Sequence, residues 1–189
     1  MIKLVEKRLR EFADACKRLA DISFEIGSAA CQVLDAVKRG NKVLACGNGG
    51  SASQAEHFIA ELVGRYKAER RAMAAISLTG DSSVITAVAN DYGYAEVFAR
   101  QVRGIGSGGD VLVGFSTSGN SKNVVKAFET ARSLAVKTIG IVGGDGGELA
   151  NCADYLIKVP SKDTARIQEL HLVVAHLICE IVDREVACE

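Results

Sequence analysis

The chain has 189 residues, enough for one domain, and 48% of them are apolar. Its 23 basic and 23 acidic side chains cancel, so no basic stripe marks a nucleic-acid partner and no acidic tail marks a basic one. Neutrality permits self-association. The N-terminal segment MIKLVEKRLREF is too charged for a secretory signal, and no apolar run approaches the ~20 residues of a membrane span. The six cysteines, at 16, 31, 46, 152, 179 and 188, form no CxxC pair and mostly fall in apolar patterns. The expectation is buried free thiols in a reducing, cytoplasmic compartment.

Residues 2 to about 38 read as helix. Leu4, Val5, Leu9, Phe12, Cys16 and Leu19 recur at helical spacing, and Phe24, Ile26, Cys31, Leu34 and Val37 continue beyond a break near Asp21. This N-terminal segment, 1–38, packs either on its own sheet or on a partner subunit. The pattern then changes to short apolar runs at 42–46, 72–78, 110–115, 136–142 and 154–159. Helical segments at 52–65, 82–89, 94–104, 121–134 and 164–187 separate them. Short strands alternating with helices imply βαβ units. The expected fold is α/β, a doubly wound three-layer sandwich on a roughly five-stranded parallel sheet. Long N-terminal and C-terminal helices flank it, in a single domain over 1–189.

Ligands of such sheets bind beyond the carboxyl ends of the strands. The loops 47–53, 116–121 and 143–147 therefore matter most, and all are rich in Gly, Ser, Asn or Asp. The first fits G-x-G-x-x-A over Gly47–Ala52, but no acid ends the second strand; Asp81 follows later, after Thr79-Gly80. No GKS or GKT is present, which excludes a P-loop. The second loop, Ser116-Thr117-Ser118-Gly119-Asn120-Ser121, sets four hydroxyls at a helix N-terminus. Free backbone N–H groups and the helix dipole attract an anion there. Ser121 alone would suffice as a helix cap, so four hydroxyls point to a phosphate.

His57 and Glu61 stand four apart, ~40° around a helix, and share a face. The plain alternative is an exposed pair, with Glu61 also one turn from Arg65. His171 and His176 lie in the last helix. His171 reads as a satisfied core residue or as a contact with another helix. Gln168 and His176 are ~80° and ~12 Å apart on an ideal helix. They share a ligand sphere only if the helix start is loosened or if they meet across subunits. His57, Glu61, Gln168 and His176 have the donors for a divalent metal such as zinc. A carboxylate and an imidazole also suit proton transfer, and the residues leave both readings open.

The segments GNGGSASQAEHFIAELVGRY, AVANDYGY, GDVLVGFSTSGNSKNVVKAF, GDGGELA and TARIQELHLVVAH follow in order over nearly the whole chain. Together they resemble the phosphoheptose isomerases of the sugar isomerase (SIS) fold. The resemblance implies interconversion of sedoheptulose 7-phosphate and D-glycero-D-manno-heptose 7-phosphate, which opens heptose synthesis for lipopolysaccharide or related glycans. It implies a cytoplasmic homotetramer with active sites between subunits and one zinc ion per subunit. The metal ligands would be His57, Glu61, Gln168 and His176. Substrate contacts would come from Asn48, Gly49, Gly50, Ser51, Asn90 and Asp91, besides Glu61 and Gln168. The phosphate would sit on Ser116, Thr117, Ser118 and Ser121. Glu61 would carry a proton between C1 and C2 through a cis-enediol, with His176 as partner acid. Some members carry an acid just before R-I-Q-E, where this chain has Ala165. One relative on the fold instead binds the bacterial replication initiator as a tetramer, and other SIS domains sense sugar phosphates without catalysis. Glu61 and His176 favour an enzyme.

Overall fold

The sheet is made of Val43–Gly47 (β1), Ala75–Ser77 (β2), Val111–Ser116 (β3), Lys137–Val142 (β4) and Tyr155–Lys158 (β5). In the computed structural model, which describes residues 1–187, every pairing is parallel and the strand order is β2-β1-β3-β4-β5. Cys188 lies outside the described residues. β1 and β3 are buried along their whole length, as continuous apolar runs in a two-faced parallel sheet should be. β2 keeps only three residues of its expected run, because it is an edge strand bonded to β1 alone. Just before it, the Met73 amide turns to the Leu62 carbonyl instead of a strand partner.

Side chains alternate across each strand. On one face Val43, Ala45, Val113, Phe115, Ile139 and Ile141 join a core with Ser23–Lys38 (α2), Gly50–Val63 (α3) and Thr164–Ala187 (α7). On the other, Leu44, Cys46, Leu112 and Val142 meet Ser82–Tyr92 (α4), Val97–Ile105 (α5) and Lys122–Ser133 (α6). The expected segment 94–104 divides into a short 3-10 turn, Tyr94–Glu96, followed by α5. Ile2–Lys17 (α1) is separated from α2 by a 3-10 turn over Arg18–Ile22, at the break expected near Asp21. α1 buries Ala15 but leaves Ile2, Leu4, Val5 and Leu9 exposed. No helix of the described residues is long and apolar enough to cross a membrane.

The described cysteines are free, and Cys46 and Cys179 are buried as expected. Cys31 corrects that expectation: it is exposed, beside Ala29, Ala30 and Val33 that carry the sheet-facing side of α2.

The strand order fixes where a ligand can enter. From β1 the chain moves to β2 on one side, then returns to place β3 on the other. The loops after β1 and β3 therefore diverge, and a crevice opens between them at the carboxyl edge. Gly47 and Phe115 pair in register at that edge, so the Gly-rich loop and the serine loop are neighbours.

Candidate active site at the carboxyl edge

Gly49 adopts a positive φ of 56°, and α3 begins at the next residue. A Cβ on Gly47 would stand 2.5 Å from the Ser51 carbonyl oxygen, so this turn requires glycine. The turn aims α3 so that Phe58, Ile59 and Leu62 enter the core while His57 and Glu61 share the other side. His57 Nε2 is 3.3 Å from Glu61 Oε1. The pair itself is present with His57 exposed, while Arg65 reaches Glu69 instead of Glu61.

His176 arrives from α7 and puts its Nε2 2.9 Å from that of His57, with ring centroids 5.1 Å apart at 60°. Ligand atoms of His57, Glu61 and His176 all lie within 4.8 Å of one another. Bonds of about 2.0 Å to a tetrahedral ion would set neighbouring ligand atoms ~3.3 Å apart. The nitrogen and oxygen donors and their spacing therefore fit a divalent metal. Burial lowers the His176 pKa, the His57 charge adds to this, and Glu61 opposes it. A neutral imidazole is the form that binds metal or accepts a proton. Tyr66 packs its ring 5.5 Å from that of His176.

α7 is regular from Thr164 onward, so the loosened start that would draw Gln168 toward His176 is not seen. Gln168 instead abuts the first loop; a Cβ on Gly50 would lie 2.6 Å from its Nε2. Gln54 of α3 donates to the Gln168 carbonyl. His171 is a core residue, fully buried with its ring 6.1 Å from that of Phe115. Among the described residues neither ring nitrogen has a hydrogen bond of good geometry, though the Val142 backbone lies near enough to act on the ring. Burial pushes its pKa down to about 4, against an opposing pull from the Val142 backbone.

In the serine loop, Ser116 and Ser121 set their hydroxyls 3.0 Å apart, and Ser116 Oγ accepts from the Gly119 amide. Ser121 occupies the N-cap position of α6, yet its side chain makes no capping bond. Asn123 Oδ1 takes the Val124 amide there. The Ser121 hydroxyl is thus left facing Ser116 instead of serving the helix. Thr117 and Ser118 line a groove of about 290 Å³ with Gly143, Gly144 and Lys162.

Asn48 is pinned between the two loops. It exchanges amide hydrogen bonds of 2.9 and 2.8 Å with Asn123 and accepts another from the Tyr94 hydroxyl. Sequence reasoning missed Asn123 and Tyr94. A buried asparagine directly after a hydroxyl loop, and a tyrosine inside AVANDYGY, were the available signals. Ser51 is buried in the first turn of α3. Asn90 and Asp91 bond to each other, exposed at the end of α4, and among the described residues no hydrogen bond or ion pair joins them to the other site groups. Asp81 caps α4, which removes it as a ribose ligand. Beside Ala165, Asp163 spends one carboxylate oxygen on the Ala165 and Arg166 amides.

Fold and loops together are those of a SIS domain, and a family model of that description matches residues 9–143. The chain belongs to the phosphoheptose isomerase family: it is 50% identical to phosphoheptose isomerase of Akkermansia muciniphila over 98% of both chains. It is 48% identical to the Helicobacter pylori (strain P12) protein over 97% of this chain and 96% of that one. The solved phosphoheptose isomerase from Francisella tularensis superposes with a TM-score of 0.93 at 37% identity, over 97% of this chain and 98% of that one. The one from Neisseria gonorrhoeae gives 0.86 at 41%, over 96% and 99%.

Proposed function

We propose that this chain is an aldose–ketose isomerase converting sedoheptulose 7-phosphate to D-glycero-D-manno-heptose 7-phosphate, the first step of heptose synthesis for lipopolysaccharide or related glycans. The observation that carries this reading is the convergence of Glu61 with His57 and His176 beside a hydroxyl-lined loop at a helix N-terminus. Family membership supports the same reading.

The phosphate sits on Ser116, Thr117, Ser118 and Ser121, where the N-terminus of α6, not capped by the Ser121 hydroxyl, favours an anion. That contact supplies binding energy away from the reacting carbons. Asn48, Gly49, Gly50 and Ser51 line the sugar, the glycines letting it approach the backbone, and Asn90 and Asp91 close the other side. Glu61 takes the proton from C1 of the ketose while the C2 oxygen gains one, giving the cis-enediol. The C1 hydroxyl then loses its proton as the aldehyde forms, and Glu61 returns its proton to C2. His176 serves the two oxygens. One Glu61 oxygen faces His57, and in this reading the other addresses the carbon. His57, Glu61 and His176 would hold a zinc ion, with Gln168 joining them across a subunit boundary, and the ion would supply positive charge for the enediol oxygens.

The working form in this reading is a cytoplasmic homotetramer with sites between subunits. The exposed apolar side of α1 supports it: Leu4, Val5, Leu9 and Phe12 line an open groove of about 520 Å³. The test is incubation of purified protein with sedoheptulose 7-phosphate, with the aldose read by chromatography. Conversion is expected; none, with or without added zinc, sinks the enzyme reading.

A further inference from the structure

Between α3 and β2 the chain runs through a strap, Gly64 to Ala74, that a buried ion pair ties to α7. Arg70 and Asp183 meet at 2.8 Å with their side chains 1% and 2% exposed. Asp183 stands on α7 seven residues beyond His176, two turns along and ~20° around the same helix.

The guanidinium closes the end of α3. A helix leaves its last carbonyls without partners, and Arg70 donates to those of Glu61 at 2.7 Å, Leu62 at 3.1 Å and Gly64 at 3.1 Å. It also donates to the Arg71 carbonyl at 3.0 Å. Its Nε goes to Asp183 Oδ1, while Asp183 Oδ2 accepts from the Lys67 and Ala68 amides. The strap also carries Tyr66, whose ring lies against His176. A single fork of charge therefore holds the backbone of Glu61, the strap and α7 together.

A buried ion pair is poor value as plain stabilisation, because desolvation offsets most of its attraction and well-packed apolar residues often do as well. What an apolar pair would not reproduce is the directed grip on four carbonyls and two amides. We propose that Arg70 and Asp183 are positioning residues, which set the spacing of α3 and α7 at which Glu61, His57 and His176 converge. The proposal rests on the isomerase reading for its kinetic consequence, and on geometry alone for the placement.

The test compares Asp183→Asn, Arg70→Lys and the double variant Arg70→Met/Asp183→Leu with wild type. Asparagine keeps an oxygen for the strap amides but turns an N–H toward Arg70. Lysine keeps the charge but loses the fork. The double variant removes both charges, so it stays folded where a single change does not. In folded protein, kcat should fall about 10- to 100-fold, with KM within about threefold, and lysine should not rescue it. Crystal structures of the variants should show the Glu61 and His176 side chains displaced by more than about 0.5 Å. Arg184→Ala, the exposed neighbour that pairs with Glu180, should leave kcat unchanged. Wild-type kcat in a folded variant overturns the proposal. So does a loss that only follows the unfolded fraction, or unfolding of all three variants, since each marks a purely structural role. An inactive wild type overturns the isomerase reading instead, and the crystal structures then decide the placement.

Discussion

His57 and His176 are 119 residues apart in the chain, and their Nε2 atoms are 2.9 Å apart. Two imidazoles this close share one proton or face one cation; both protonated, they would repel. Glu61, one turn from His57, supplies the negative charge that makes the arrangement tolerable. Such a cluster suits a proton or a metal, and under the proposed function Glu61 takes part in either.

Glu61→Gln keeps the shape and the backbone grip but removes the base. Its kcat should fall about 10²- to 10⁴-fold while KM changes little. Steady-state isomerisation kinetics check this. Full activity would move the base to another residue.

Protein purified without chelators should carry about one divalent ion per chain, and His57→Ala should lose it. Elemental analysis of both proteins reads the outcome. Metal-free wild type with full activity in chelator would leave the three side chains as proton-transfer groups alone.

Ser121→Ala removes a hydroxyl that does no capping work, so the melting temperature should hold. One hydrogen bond to a charged phosphate is worth about 1.5–3 kcal/mol, so kcat/KM should fall at least about 10-fold. Inhibition by inorganic phosphate should weaken in parallel. Unchanged phosphate inhibition would place the anion elsewhere.

Gly119 lies at a φ of 69°, and a Cβ there would fall 1.9 Å from the Gly146 carbonyl oxygen. Gly119→Ala should therefore destabilise by at least about 2 kcal/mol, through strain and displacement of the 143–147 turn under the serine loop. Urea denaturation measures it. A neutral result would mean that the two turns separate freely.

His171 gives the fold an acid-sensitive point. Its folded pKa is held at about 4, below the ordinary ~6.5. The unfolded chain therefore binds the proton first as pH falls, and stability present above about pH 6.5 declines toward pH 4. The loss should reach about 2 kcal/mol between pH 7 and pH 5. His171→Leu should flatten that slope, because the variant has no group there to bind the proton. Urea titrations at both pH values would show it, and an equal slope in the variant would contradict it.

Much of this protein was legible in its sequence because the signals are local. Apolar runs of strand length between helical segments determine a parallel α/β sheet, and a loop of four hydroxyls before a helix points to an anion site. The break near Asp21 and the span of α7 could be read the same way. Pairings across the chain could not. Nothing in the spacing of His57 and His176 says that α3 and α7 cross where their imidazoles touch, because that depends on how two helices pack over one sheet. The same packing set Gln168 against Gly50, bonded Asn48 to Asn123, buried His171 against Phe115 and buried Arg70 on Asp183. The sequence determined which chemical groups are present and on which faces they stand. Only the tertiary structure, through close packing and the need to satisfy buried polar groups, decided which of them meet.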